Sequence, residues 1–278
     1  MLGQVIFIVW RESIEALLVV GILFAWLQQN PQYAAGRKFL WFGVAGGVLS
    51  AFALGAVLLW FAELFEGERE DYFQIVMMLI AATLIVQMVF WMRRNGRTLK
   101  RDLERGLNHN AASARWWGMA ILVVIAIARE GSETVVFLYG MGLAQSGGQW
   151  VHFVTSAALG FMLALGTFQL LQIGGRIFSW QLFFKFTEIV LLLLASAMIV
   201  NSVERMIGLG WLPALVDPVW DASGILDDAT NVGGVVAALT GYRSHPALML
   251  LLLQGGYWII IVMGFYRFNR PTLLVKAQ

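Results

Sequence analysis

No cysteine occurs in the 278 residues. That absence excludes disulfide staples, thiolate metal centres and dithiol redox chemistry. Charge is also scarce: 13% of residues are Asp, Glu, Lys or Arg, where an ordinary soluble domain has about 25%. With 59% hydrophobic residues, the chain cannot face water all round, and it suits a protein whose solvent is mostly lipid. The three histidines, His109, His152 and His245, have no spaced partner, which argues against a histidine-based zinc or haem site. No P-loop, helical His-Glu-x-x-His or Gly-x-Ser-x-Gly signature is present, so neither direct ATP use nor hydrolase chemistry is expected. The opening stretch MLGQVIFIVWRESIEALLVV lacks a basic start, and Arg11, Glu12 and Glu15 interrupt it. It reads as a first membrane span rather than a cleaved leader.

What is present is a series of long apolar runs. Seven stretches are long enough to cross a bilayer, at about 4–27, 39–62, 72–92, 116–142, 151–173, 186–207 and 246–266. They are continuous, without the dyad alternation of a membrane β-barrel. The expected fold is therefore all-α, a single transmembrane domain over 1–278 with seven helices. Lys and Arg cluster in alternate connections: Arg37 and Lys38; Arg93, Arg94, Arg97, Lys100, Arg101, Arg105 and Arg115; Arg176 and Lys185; and Arg267, Arg270 and Lys276. The other connections are acidic, with Glu63, Glu66, Glu68, Glu70 and Asp71 in one and Asp217, Asp221, Asp227 and Asp228 in another. The positive-inside rule then puts the N-terminus outside and the C-terminus inside. The same rule accounts for the basic 93–115 loop, so no nucleic-acid partner is expected.

Two spans share a charged motif. Span one carries Arg11-Glu12-Ser13-Ile14-Glu15, and span four carries Arg129-Glu130-Gly131-Ser132-Glu133. Spans three and six align through Gln74-Ile75-Val76 with Glu188-Ile189-Val190, and spans two and five through Ala53-Leu54-Gly55 with Ala164-Leu165-Gly166. Spans 1–3 (about 4–92) thus repeat as spans 4–6 (about 116–207). An odd number of crossings per unit makes the two units inverted, the plan of many secondary transporters, whose sites lie at the repeat interface. Likeness among apolar helices explains Leu-Leu matches, but not two copies of a charged motif.

A charge at mid-membrane costs about 2.5–3.5 kcal/mol on insertion scales, so it is kept for pairing or use. In each motif the glutamates, three apart, share a helix face, and the arginine reaches the second glutamate four residues on. Counted from the outer ends, the two motifs lie at comparable depth. If their helices face each other, Glu12, Glu15, Glu130 and Glu133 form an all-oxygen site for a hard cation, with Arg11 and Arg129 orienting the empty carboxylates. A structural ion-pair cluster and a proton relay are the other readings of the same charges.

Two Arg-Glu-x-x-Glu motifs on the first and fourth of seven spans resemble the high-affinity iron permease family, which includes fungal permeases and bacterial Efe-type and Ftr-type permeases. Trp220-Asp221 through Gly241-Tyr242, with Pro246 and the last span, is similar to that family's C-terminal pattern. The family often has Gly-Leu between the glutamates, where this chain has Ser13-Ile14 and Gly131-Ser132. The resemblance implies a transporter and not an enzyme. Fe3+ or Fe2+ would pass from periplasm to cytoplasm across a bacterial inner membrane as substrate, with no permanently bound cofactor, over Glu12, Glu15, Glu130 and Glu133 with Arg11 and Arg129 in support. It also implies separate periplasmic iron-binding or iron-oxidising partner proteins. The same scaffold could carry manganese, lead or magnesium. An intramembrane enzyme with a carboxylate-held metal and a membrane anchor of a redox complex are weaker rivals.

Other residues read as follows. Glu63, Glu66 and Glu70 approximate one helical face and suit either iron gathering at the outer mouth or a solvated loop. Loop aspartates suit turns and caps. Glu188 reads either as an exit ligand or, in preference, as an interfacial residue paired with Lys185, and Glu204 with Arg205 as a surface pair. The methionines read as lipid-facing or core filler. Gly43, Gly46, Gly47 and Gly55 form a small-residue face for close packing.

Overall fold

The structure is a computed structural model and describes residues 2–33, 35–63, 68–95, 116–141, 150–173 and 180–268. Most of the basic 93–115 connection and Glu66 lie outside the described residues, as does the side chain of Glu63. Among the described residues there are eight α-helices and no strand: α1 (Leu2–Gln29), α2 (Gly36–Glu63), α3 (Glu68–Asn95), α4 (Trp116–Gly140), α5 (Trp150–Ile173), α6 (Trp180–Gly208), α7 (Asn231–Thr240) and α8 (Leu248–Phe268). A 3₁₀ turn, Pro31–Tyr33, follows α1. Seven of the helices cover the seven apolar stretches. The eighth, α7, lies in the 208–245 stretch read as a loop.

Five helices are long and apolar enough to cross a membrane over Gly36–Phe61, Arg69–Arg94, Val151–Leu170, Lys185–Gly208 and Leu248–Arg267. The chain is therefore a multi-pass membrane protein. α1 and α4, of 28 and 25 residues, are also longer than the roughly 20 residues a crossing needs, but their charged motifs interrupt them. Large apolar side chains point outward, among them Trp41, Phe42, Leu49 and Phe52 on α2 and Val151, Met162 and Leu170 on α5. A water-soluble fold does not leave so much contiguous apolar surface bare, whereas lipid is a suitable solvent for it.

The chain divides into two compact units, Met1–Ala195 and Ser196–Gln278, the division falling inside α6. In the first, α2 packs on α4 and α1 on α5, while α4 also touches α1 and α3. Glycine permits these approaches. A Cβ on Gly47 would lie 2.5 Å from Ile127 Cβ and 3.1 Å from the Ala128 nitrogen, and one on Gly43 would lie 2.6 Å from Val123 Cβ. On α5, a Cβ on Gly160 would lie 2.7 Å from the Ile6 carbonyl oxygen, 3.1 Å from Val9 Cβ and 3.2 Å from the Trp10 nitrogen. Gly47 and Gly160 thus each seat on the residues two and one before a motif arginine. Gly55 has only ordinary contact, 3.7 Å to Val135, and Gly166 meets nothing within 4 Å. A core of Val19, Leu23, Leu27, Leu40, Met119, Val123 and Ile127 fills the space among α1, α2 and α4.

Glu188 of α6 pairs with Arg93 at the end of α3, at 2.5 Å, and so the Lys185 pairing expected for it is corrected. Lys185 is near only along the chain, whereas a neighbouring helix presents the planar guanidinium, whose Nε also donates to the same Oε1 at 2.5 Å.

In the second unit, α6 ends at a left-handed Gly210 (φ 74°), with the Trp211 N–H returned to the Met206 carbonyl at 2.9 Å. α7 starts on Thr230, whose hydroxyl accepts from the Gly233 N–H at 3.1 Å, and stops at Gly241, φ 75°. A Cβ there would also lie 3.0 Å from Ala197 Cα, so only glycine suits this turn. Arg243 binds both carboxylate oxygens of Glu204 and donates to Asn201 Oδ1 at 2.7 Å. Glu204 is therefore matched with Arg243, which engages both its oxygens, and not with adjacent Arg205. Two of the loop aspartates act in turns: Asp221 Oδ1 accepts from the Ser223 N–H at 2.9 Å and Asp227 Oδ1 from the Ala229 N–H at 2.8 Å.

Candidate functional site

The two charged motifs meet inside the first unit. α1 and α4 run as continuous helices through them, and on α4 the nearby hydroxyls bond back to their own helix. Ser132 Oγ donates to the Arg129 carbonyl and Thr134 Oγ1 to the Glu130 carbonyl, both at 2.8 Å. The carboxylates and guanidinium groups are left to face one another.

Arg11 is 1% exposed. Its Nη1 donates to Glu12 Oε1 at 2.6 Å, and its Nη2 pairs with Glu15 Oε1. On α4, Arg129 Nε donates to Glu133 Oε1 at 2.9 Å. One carboxylate oxygen each of Glu12, Glu130 and Glu133 lies within 4.8 Å of the other two. On these same three residues, Oε2 is buried with no hydrogen-bond partner. Glu15 is buried beside Arg11 and stands outside the three-carboxylate group. Of the four expected ligands, the fold brings three together; Glu15 lies on Arg11, and its Oε1 is likewise buried without a hydrogen bond.

A carboxylate oxygen buried without a partner costs about 1–3 kcal/mol, and more when charged. Three carboxylates drawn together repel one another as well, and a cation among them would offset both costs. Hard cations hold oxygen at roughly 2.0–2.6 Å, so oxygens bound to one ion stand no more than about 5 Å apart, a limit that the 4.8 Å bound on these three satisfies. Four carboxylates against two guanidinium groups leave two negative charges in excess when all are ionised, which a divalent or trivalent cation offsets.

α3 supplies residues that the sequence did not mark. Met88 Sδ accepts from Arg11 Nη1 at 2.8 Å and Met92 Sδ from Nη2 at 3.1 Å. The Arg129 guanidinium carbon lies 4.3 Å from the centre of the Trp91 ring. The reading of the methionines as filler is corrected for these two. The only signal in the sequence was their helical spacing opposite the motifs, three and four apart. Of the outer-mouth candidates, Glu70 sits half-buried in the first turn of α3, where a carboxylate is favoured by the helix dipole. Glu63 and Glu66 fall where side chains are not described.

The iron permease FTR1 family matches residues 1–267 of the chain. The chain belongs to that family. It is a family of permeases, hence of transporters rather than enzymes, and iron transport is what its description states. Among individual relatives, the ferrous iron permease EfeU of Yersinia pestis is 24% identical over 95% of this chain and 93% of the relative. The protein of that name in Escherichia coli O6:K15:H31 (strain 536 / UPEC) is 25% identical over 93% of each. No solved structure matches the chain.

Proposed function

We propose that the chain carries iron from the periplasm to the cytoplasm across a bacterial inner membrane, through an intramembrane site of Glu12, Glu130 and Glu133, with Glu15 as a fourth carboxylate. The observation that carries the reading is the clustering of Glu12, Glu130 and Glu133, each of which also has an Oε2 buried without a hydrogen-bond partner. Arg11 and Arg129 each hold one oxygen of a ligand and leave the other free for the ion. They also limit the negative charge, so that the ion can leave as well as enter.

Seven crossings in one domain, six of them in two inverted three-helix repeats, suit this use. α2 lies on α4 and α5 on α1, and glycines seat on equivalent residues before each motif arginine. A rocking of one repeat against the other would open the site inward. The acidic connections would face the periplasm, where Glu63, Glu66 and Glu70 gather cations and separate iron-binding or iron-oxidising proteins deliver them.

The test is uptake of radioactive iron by cells lacking other iron importers, with ferrous and ferric iron supplied separately. Glu12→Gln combined with Glu130→Gln abolishes uptake at unchanged membrane abundance. Normal uptake by a variant with all four glutamates changed to Gln would sink the proposal. Because oxygen donors alone do not discriminate among hard cations, competition by manganese, lead and magnesium in the same assay decides between iron and a broader cation range.

A further inference from the structure

α3 carries no charged residue from Tyr72 to Met92, and nothing in its composition marks it as part of an ion site. Yet its last turns touch both arginines of the cluster. Met88 and Met92 accept from the two terminal nitrogens of Arg11, and Trp91 lies face-on to Arg129. The contacts form two parallel chains: Met88 and Met92 to Arg11 to Glu12 Oε1, and Trp91 to Arg129 to Glu133 Oε1. Each chain ends on a carboxylate whose other oxygen is buried and free.

We propose that Met88, Trp91 and Met92 are positioning residues of the cation site that act through the two arginines, an inference that rests on the carboxylate cluster being that site. An arginine can orient a carboxylate only if its own place is fixed. A second carboxylate would fix it strongly but would add charge and compete for the ion. A thioether is a weak acceptor and an indole face a weak cation partner. Such neutral seats hold the guanidinium while leaving it free to follow the carboxylate when the ion binds. Met88 is buried at 2% exposure, so the contact is shielded from water, where such attraction is stronger.

The experiment uses the full-length protein purified in detergent and measures binding of Fe2+ under anaerobic conditions, and separately of Fe3+ as its citrate complex. For the form that wild type binds, Trp91→Leu raises Kd about three- to thirty-fold, the factor matching an ordinary cation–π contact. Trp91→Phe keeps an aromatic face and stays within about two-fold of wild type. The decisive comparison is the cycle with Arg129→Gln. A residue acting through Arg129 adds nothing once that arginine is gone, so the double variant binds as Arg129→Gln alone. A purely structural loss would instead add in full, and that result, or wild-type Kd in Trp91→Leu, overturns the proposal. Should Trp91→Leu not assemble, Met88→Leu with Met92→Leu conserves volume and carries the same cycle with Arg11→Gln: weakened binding dependent on Arg11 supports the seat, and unchanged binding overturns it. Equal binding by wild type and by Glu12→Gln with Glu130→Gln removes the cluster itself as the site, and the seats with it. Loss in that double variant, with Trp91→Leu unaffected, removes only the seats.

Discussion

Arg11 is 1% exposed and the side chain of Arg129 36%, although they open the same motif. The difference sets what each is worth to the fold. Arg11 compensates Glu12 and Glu15 where all three are buried, so Arg11→Gln leaves two buried carboxylates without their cation. Breaking a buried pair from one side costs about 3–5 kcal/mol. Arg129 is partly exposed and pairs with Glu133 alone, so its loss strips one carboxylate of its partner where loss of Arg11 strips two. Thermal unfolding of the detergent-purified protein is expected to fall further for Arg11→Gln than for Arg129→Gln. Equal losses would show the two arginines to be equally buried. At this scale sequence reasoning was uneven. The glutamates stood out because charge in an apolar run is expensive. Met88, Trp91 and Met92 did not, because an apolar residue on an apolar helix is the commonest thing a membrane span contains. Glu188 was matched with Lys185 and Glu204 with Arg205 because only chain neighbours are visible in a sequence. Arg93 and Arg243, their partners, lie 95 and 39 residues away.

Between elements, two glycines set how closely helices pass. Gly47→Ala would drive a Cβ to 2.5 Å from Ile127 Cβ, and Gly160→Ala to 2.7 Å from a backbone oxygen. Neither neighbour is the flexible end of a side chain, so the helices must separate, at about 1–3 kcal/mol each. Gly166→Ala meets nothing within 4 Å and gains up to about 1 kcal/mol of helix propensity. Melting of the three purified variants checks this: two fall, and Gly166→Ala holds or rises. The small-residue face of α2 was readable from its spacing. Which glycines of α5 matter was not, since Gly166, aligned with Gly55, touches nothing while Gly160 carries the contact. α7 was missed for a related reason. Its ten residues, NVGGVVAALT, place Val232, Val235, Val236 and Leu239 at helical spacing, but the run is too short for a membrane span, and Thr230 and Gly241 mark its ends. The same segment has a pH signature. The Ser244 hydroxyl, and with it the charge of Arg243, holds the Asp228 carboxyl below its usual range. The Ser223 hydroxyl and N–H do the same for Asp221. A depressed folded pKa gives stability that is complete above the ordinary aspartate value of about 3.9 and is lost as pH falls through the folded value. Protease resistance of residues 209–247 is therefore expected to hold down to about pH 4 and to fall below it, and the fall shrinks in Asp228→Asn.

For the whole molecule, an all-helical membrane protein was legible because long apolar runs without alternation admit little else. The direction in which it sits is a separate matter, set by where Lys and Arg fall, and it decides whether iron moves in or out through the same site. Because the chain has no cysteine, single cysteines report on that direction without background. Ser223 lies in the long acidic connection after α6, and Arg94 at the exposed end of α3. If the N-terminus is periplasmic, three crossings put Arg94 in the cytoplasm and six put Ser223 in the periplasm. A membrane-impermeant maleimide should then label Ser223→Cys in intact cells and Arg94→Cys only after permeabilisation. The reverse pattern would invert the path proposed for iron. Labelling of both in intact cells would place Arg94 and Ser223 on one side of the membrane. The crossings between them would then be even in number, and two inverted repeats of three helices could not be maintained.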